Sequence, residues 1–86
     1  MQVLLLTQER CDFCEQAKEI LARLKSEYEL TLSTLDVRMP EGEALAVRHG
    51  LLFPPGILLD GEPFSYGRLS ERKLRREIER RRQLRA

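Results

Sequence analysis

Four consecutive apolar residues, Val3-Leu4-Leu5-Leu6, precede the polar run Thr7-Gln8-Glu9-Arg10. They predict a short strand over Val3 to Thr7, buried on both faces and therefore inside a sheet. From Cys14 the spacing changes to threes and fours: Ala17, Leu21, Leu24 and Tyr28, with Ile20 widening the stripe, form the inner face of a helix packed on that sheet. Leu30 to Val37 alternates loosely and is rich in Leu and Thr, the pattern of a second strand ending at Asp36, with Pro40 as a breaker after it. Strand, helix, strand in this order predicts a parallel pair. Glu41 to His49 reads as a short helix stopped by Gly50. Beyond Pro54 and Pro55, Ile57 to Leu59 forms a third strand, Asp60-Gly61 a hairpin turn, and Glu62 to Tyr66 a fourth, antiparallel strand in which Pro63 suits an edge. Ser70 is a good N-cap for a last helix with Leu74 and Ile78 turned inward. After these, Arg80-Arg81-Arg82 offers nothing apolar until Leu84, so the domain is expected over residues 1–79, with 80–86 a basic helical extension or a frayed tail.

Eighty-six residues allow one domain with a single modest core and no second site-bearing lobe. The amino-terminal apolar run is too short for a signal peptide or a membrane span, which makes the expected location cytoplasmic and excludes a membrane role. Net charge is +1 but unevenly placed: from Arg68 onward nine basic residues face three acidic ones, a balance of +6, leaving −5 for the other 67 residues. Such polarity can guide an acidic partner or nucleic acid, although a charged run on a terminal helix is ordinarily just its solvated face. Recognition of nucleic acid asks for more than charge, and none is expected.

The chemistry-bearing feature is Cys11-Asp12-Phe13-Cys14, which holds both cysteines of the chain where the first strand gives way to the first helix. In a reducing compartment a lone cysteine pair points to catalysis or metal binding rather than a permanent staple. A thiol at the first turn of a helix faces unpaired backbone N–H groups and the positive end of the helix dipole, so its thiolate is stabilised. Cys11 is accordingly the attacking thiol. Cys14, one turn on, is placed to attack the mixed disulfide formed on Cys11 and release the partner. The competing readings are a pair of inert buried thiols and a metal site. Zinc takes four ligands, and one chain offers two cysteines and the distant His49, so a zinc or iron–sulfur site would need two chains. His49 reads as a helix-end residue and Asp36 as a strand-end residue, and neither joins the catalytic set.

A C-x-x-C after the first strand of a β-α-β-α-β-β-α chain, with Pro55 opening the third strand in Pro55-Gly56-Ile57-Leu58-Leu59-Asp60-Gly61, resembles the glutaredoxin-like small redoxins over essentially the whole length. The resemblance implies the minimal thioredoxin fold, an α/β arrangement with a four-stranded mixed sheet and helices on both faces. It also implies a cis Pro54–Pro55 bond facing the dithiol, and a thiol–disulfide oxidoreductase without a bound cofactor or metal. Its substrate groove would be built from Asp12, Phe13, Pro54, Pro55, Gly67 and Arg68. The partners implied are a disulfide-bearing protein or small thiol as substrate, and a thiol or flavoprotein reductase as electron donor, with the protein a monomer.

Several positions differ from classical glutathione-dependent members. Asp12 replaces their proline and disfavours the adjacent Cys11 thiolate, and Gln8 stands where they have a lysine. Pro54 has no N–H to lend to a bound peptide. In Tyr66-Gly67-Arg68-Leu69-Ser70 only Gly67 remains of the paired glycines, and Ser70 replaces an aspartate. Glutathione is therefore expected to bind poorly. A redox-silent binding module that keeps the fold and holds a protein through the basic last helix or the dithiol end is the reading from a different class.

Overall fold

The computed structural model describes residues 1–85. In chain order the elements are β1 (Gln2–Thr7), α1 (Asp12–Glu27), β2 (Thr31–Asp36), α2 (Pro40–His49), β3 (Gly56–Leu59), β4 (Glu62–Tyr66) and α3 (Glu71–Arg85). The strands form one sheet in the order β2-β1-β3-β4. β1 runs parallel to β2 and antiparallel to β3, with Leu6 opposite Gly56 and Val3 opposite Leu59. Its place between two neighbours explains its unbroken apolar run. Val3 and Leu5 enter one core with Ile57 and Leu59, whereas Leu6 turns to the opposite face with Leu58 and Leu51. Asp60 and Gly61 join β3 to β4 with φ of 48° and 84°, the paired positive values of a tight hairpin turn. Pro63 lies on β4, an outer strand.

Helices cover both faces, as the resemblance implies. The larger core is closed by α1 through Ala17, Ile20, Leu21 and Leu24 and by α3 through Leu74 and Ile78. α1 and α3 run side by side in the same direction: Arg23 reaches Glu71, Glu27 pairs with Arg75, and the Tyr28 hydroxyl donates to Glu79 at 2.6 Å. The smaller core lies under α2, where Leu45 and Ala46 flank Leu6, Leu51 and Leu58. α2 crosses the end of β2 closely at Gly42, where a Cβ would overlap the Asp36 carbonyl oxygen.

One detail differs from the sequence reading. Pro40 opens α2 instead of standing outside it, because the first helical N–H has no partner within the helix and proline lacks that group anyway. Of the two forms expected beyond residue 79, a helical extension or a frayed tail, the structure has the helix, which runs on to Arg85. Arg81 anchors this part of the helix: its guanidinium donates to the Leu59 carbonyl at 3.2 Å and to Glu77 at 2.7 Å, and its side chain is mostly buried. Ala86, the end of the expected tail, lies outside the described residues.

Candidate active site

The carboxyl end of β1, the amino end of β3 and the carboxyl end of β4 meet at one edge of the sheet, since Leu6 pairs with Gly56 and Gly56 with Tyr66. The segments leaving these three strand ends supply every candidate residue. From β1 the chain turns through Arg10, at φ 55°, into Cys11, the N-cap of α1. Cys11 is extended (φ −126°, ψ 103°), and its sulfur accepts the Cys14 backbone N–H at 3.1 Å. This satisfies one of the donors that a helix start leaves open, and a side-chain oxygen ordinarily fills that role. Cys11 and Cys14 are joined as a disulfide, with Cα atoms 5.1 Å apart.

The two sulfurs have unequal surroundings. Cys14 is fully buried (0% exposed) on the inner face of α1, whereas Cys11 is only half-buried. Asp12 and Phe13 between them are exposed. Cys11 is thus the sulfur a partner can reach, and Cys14 the one it cannot. Asp12 and Glu15 place two carboxylates in the first turn of α1, the turn that Cys11 caps, and Glu15 pairs with Lys18 at 3.4 Å.

From the other side come Pro54 and Pro55, joined by a cis peptide bond. Pro55 is buried and Pro54 half-buried. The Pro55 carbonyl accepts the Gly67 N–H at 2.8 Å, and the Phe53 carbonyl shares the same donor at 3.3 Å. Gly67 therefore ties the end of β4 to the proline loop, and its N–H is committed inside the fold. Its φ of 78° and the Phe53 ring, 2.7 Å from where a Cβ would stand, both require glycine. Among the described residues no donor reaches the Pro54 carbonyl, which leaves that acceptor for a partner.

Phe53 packs edge-on against Tyr66 with ring centroids 5.1 Å apart. The pair forms a half-exposed aromatic rim beside Pro54, while Phe64 packs against the larger core instead. A shallow apolar pocket of about 100 Å³ adjoins the rim between Val37, Ala46, Leu52, Phe53 and Pro54. Leu52, exposed like Phe53, was not singled out from the sequence, because it sits in a loop where no periodicity marks it.

Arg68 is exposed beside Gln16 of α1, in a crevice with Leu69 and Ser70. Gln8 is half-buried and Arg10 exposed at the turn before Cys11. Asp36 ends β2 as expected. Its carboxylate accepts the Arg38 guanidinium at 3.0 Å and the Arg38 N–H at 2.8 Å, and these hydrogen bonds hold it below the usual carboxylate range, where it is a poor proton shuttle. His49 is the last residue of α2. Among the described residues no group of three or more His, Cys, Asp or Glu is arranged to hold a metal ion. No described helix is long and apolar enough to cross a membrane.

Comparison with known proteins agrees with this geometry. Uncharacterized proteins of Mycobacterium tuberculosis and Mycobacterium bovis are 37% identical to the chain over 82 residues, covering 92% of it and 84% of their own length. Among solved structures, thioredoxin 1 from Thermosipho africanus superposes with a TM-score of 0.74 at 15% identity, covering 98% of this chain and 97% of its own. A mutant thioredoxin from Halobacterium salinarum superposes with a TM-score of 0.69 at 23% identity, covering 91% of this chain and 71% of its own. Both share the fold. The family model described as Glutaredoxin-like domain (DUF836) matches residues 2–79, and the chain belongs to that family.

Proposed function

We propose that this protein is a cytoplasmic thiol–disulfide oxidoreductase in which Cys11 attacks and Cys14 resolves. The observation that carries the reading is the asymmetry of the pair: a reachable sulfur at a helix start, receiving a backbone N–H, backed by a fully buried one. In the reduced protein that same N–H and the helix dipole favour thiolate on Cys11. The thiolate attacks one sulfur of a substrate disulfide; the other sulfur leaves as thiolate and takes up a proton. Cys14 then loses its proton and attacks the Cys11 sulfur, expelling the second substrate thiol and closing the Cys11–Cys14 disulfide. Two electrons and two protons pass to the substrate. A low-molecular-weight thiol or a flavin-dependent reductase restores the dithiol.

The substrate docks across Phe13, Pro54 and the Phe53–Tyr66 rim, with the Pro54 carbonyl accepting a hydrogen bond from its backbone as an added strand would supply. Glutathione is a weak partner in this scheme. Gln8 and Ser70 lack charges that would meet its carboxylates, Pro54 has no N–H to donate, and the Gly67 N–H is already bonded. Each missing hydrogen bond or exposed ion pair is worth up to about 1 kcal/mol, so together they weaken binding by about one to two decades.

The test is reduction of a protein disulfide and of a glutathione mixed disulfide by the pre-reduced protein, beside a classical glutaredoxin, with each class of donor supplied in turn. Turnover of the protein disulfide with slow use of glutathione is expected, and Pro54→Val should speed the latter. A dithiol that exchanges with no disulfide would leave a binding module. Stoichiometric zinc or iron on the purified protein, lost with either cysteine, would make the pair a metal ligand set between chains.

A further inference from the structure

Among the residues whose side chains are described, the cations of α3 divide into two groups. Arg75, Arg80, Arg81 and Arg82 each pair with a carboxylate: Arg75 with Glu27 and Glu71, Arg80 and Arg81 with Glu77, and Arg82 with Glu79. Arg72, Lys73 and Arg76 are exposed, and among the described residues their side chains meet no carboxylate or hydrogen-bond acceptor. The same holds for Arg68, just before the helix. The unpaired cations begin at Arg68, beside Gln16 of α1 and next in sequence to the glycine bonded to Pro55, and continue along the outer side of the first turns of α3. Two carboxylates border this edge, Glu71 beside Arg68 and Glu79 beside Arg72 and Arg76, and each is already paired, Glu71 with Arg23 and Arg75 and Glu79 with Arg82.

We infer that Arg68, Arg72, Lys73 and Arg76 form a docking edge for an acidic protein segment, one that carries the disulfide or dithiol exchanging with Cys11. The inference rests on the dithiol reading above and names the chemistry of its partner. Two observations select an acidic protein over other polyanions. The edge starts at the sheet end that holds Cys11, so its occupant is positioned to present sulfur, which nucleic acid does not carry. The edge also lacks aromatic side chains between its cations on which bases could stack. Arg72 to Arg76 rises about 6 Å along the helix, a span that a few Asp or Glu residues on an extended segment can follow. Unscreened cations at an exposed edge act mainly on the rate of encounter.

Three peptides, each closing one intramolecular disulfide and flanked by four Glu, four Gln or four Lys, test this in single turnovers with the reduced full-length protein. At low salt the Glu-flanked peptide should react about tenfold faster than the Gln-flanked one, and the Lys-flanked peptide slower still. The preference should fade once ionic strength shortens the screening length below about 10 Å. In the Arg72→Gln/Lys73→Gln/Arg76→Gln variant the Glu-to-Gln rate ratio should fall towards one. Arg72→Glu/Arg76→Glu should turn the preference to the Lys-flanked peptide. Equal rates for the three peptides, or a Glu preference that survives both variants, would overturn the docking edge while leaving the redox reading intact. If none of the peptides is reduced, the redox reading itself fails. Stoichiometric double-stranded DNA or single-stranded RNA that suppresses reduction of the Glu-flanked peptide through the same residues would assign the edge to nucleic acid and overturn the proposal.

Discussion

The two faces of the sheet are built differently. On one, α1 and α3 bury a continuous set of side chains that includes Leu5, Leu24, Ile57, Leu59 and Leu74, all at 0–1% exposure, and the two helices are cross-linked by charge from Arg23 to Glu79. On the other, α2 covers only Leu6, Leu51 and Leu58 fully, and Met39, Val47, Leu52 and Phe53 remain more than half exposed. The candidate site straddles this contrast. Cys14 belongs to the tightly packed helix that holds it out of solvent, while Pro54 and Phe53 belong to the thinly covered side. The buried sulfur and the accessible apolar surface beside the site therefore come from opposite layers of one small domain.

The largest effect should come from cutting into the packed face. Leu24→Ala is expected to lower stability by about 2–5 kcal/mol, and Leu51→Ala, at the rim of the smaller core, by clearly less. Urea unfolding of the two variants decides whether the faces differ; equal losses would show that the α2 side is as well packed. Next is Gly42→Ala, which forces a methyl group against the Asp36 carbonyl, an unyielding backbone atom, and should cost about 1–3 kcal/mol. A neutral result would mean that α2 can slide on β2, sharpening the contrast further.

Acid should act first on the charged layer. Hydrogen bonds from Arg80, then Arg81, hold Glu77 down to about 2, against an ordinary value near 4.5. A carboxylate depressed in the folded state adds stability above its unfolded value, and that stability is lost as pH falls through the folded one. The thermal midpoint should therefore drop between about pH 4.5 and 2, and Glu77→Gln should flatten part of that slope. An unchanged slope would mean that the pairs are too solvated to matter. The smallest effect is electrostatic at the site: Asp12→Asn should lower the Cys11 pKa by removing a like charge, read from thiolate absorbance against pH. An unchanged pKa would show that Asp12 does not face the sulfur, and a rise that it stabilises the thiolate by another route.

Where pattern and structure agree, the deciding interactions are local. The C-x-x-C at a strand-to-helix junction, the Asp60-Gly61 turn and the Ser70 cap, whose hydroxyl accepts the Lys73 N–H at 3.2 Å, are set by neighbours within a few residues. What escaped the sequence depends on contacts across the fold. Arg81 reads as a solvated arginine until Leu59 is found beneath it. Gly42 reads as an ordinary helix residue until β2 passes under it. The role of Gly67 follows from the Phe53 ring and the Pro55 carbonyl, neither of which is near it in sequence. The resemblance set Gly67 beside Pro54 and Pro55 in one expected groove, but the commitment of the Gly67 N–H to the Pro55 carbonyl was not legible.

The central claim is that Cys11 attacks and Cys14 resolves, and trapping tests it most directly. The reduced Cys14→Ser and Cys11→Ser variants are each mixed with a protein disulfide, and the covalent adducts are mapped by mass. Cys14→Ser should accumulate a mixed disulfide on Cys11, because the resolving thiol is gone. Cys11→Ser should trap little, because its one remaining thiol is buried. Equal trapping by the two variants, or adducts on Cys14 alone, would contradict the assignment.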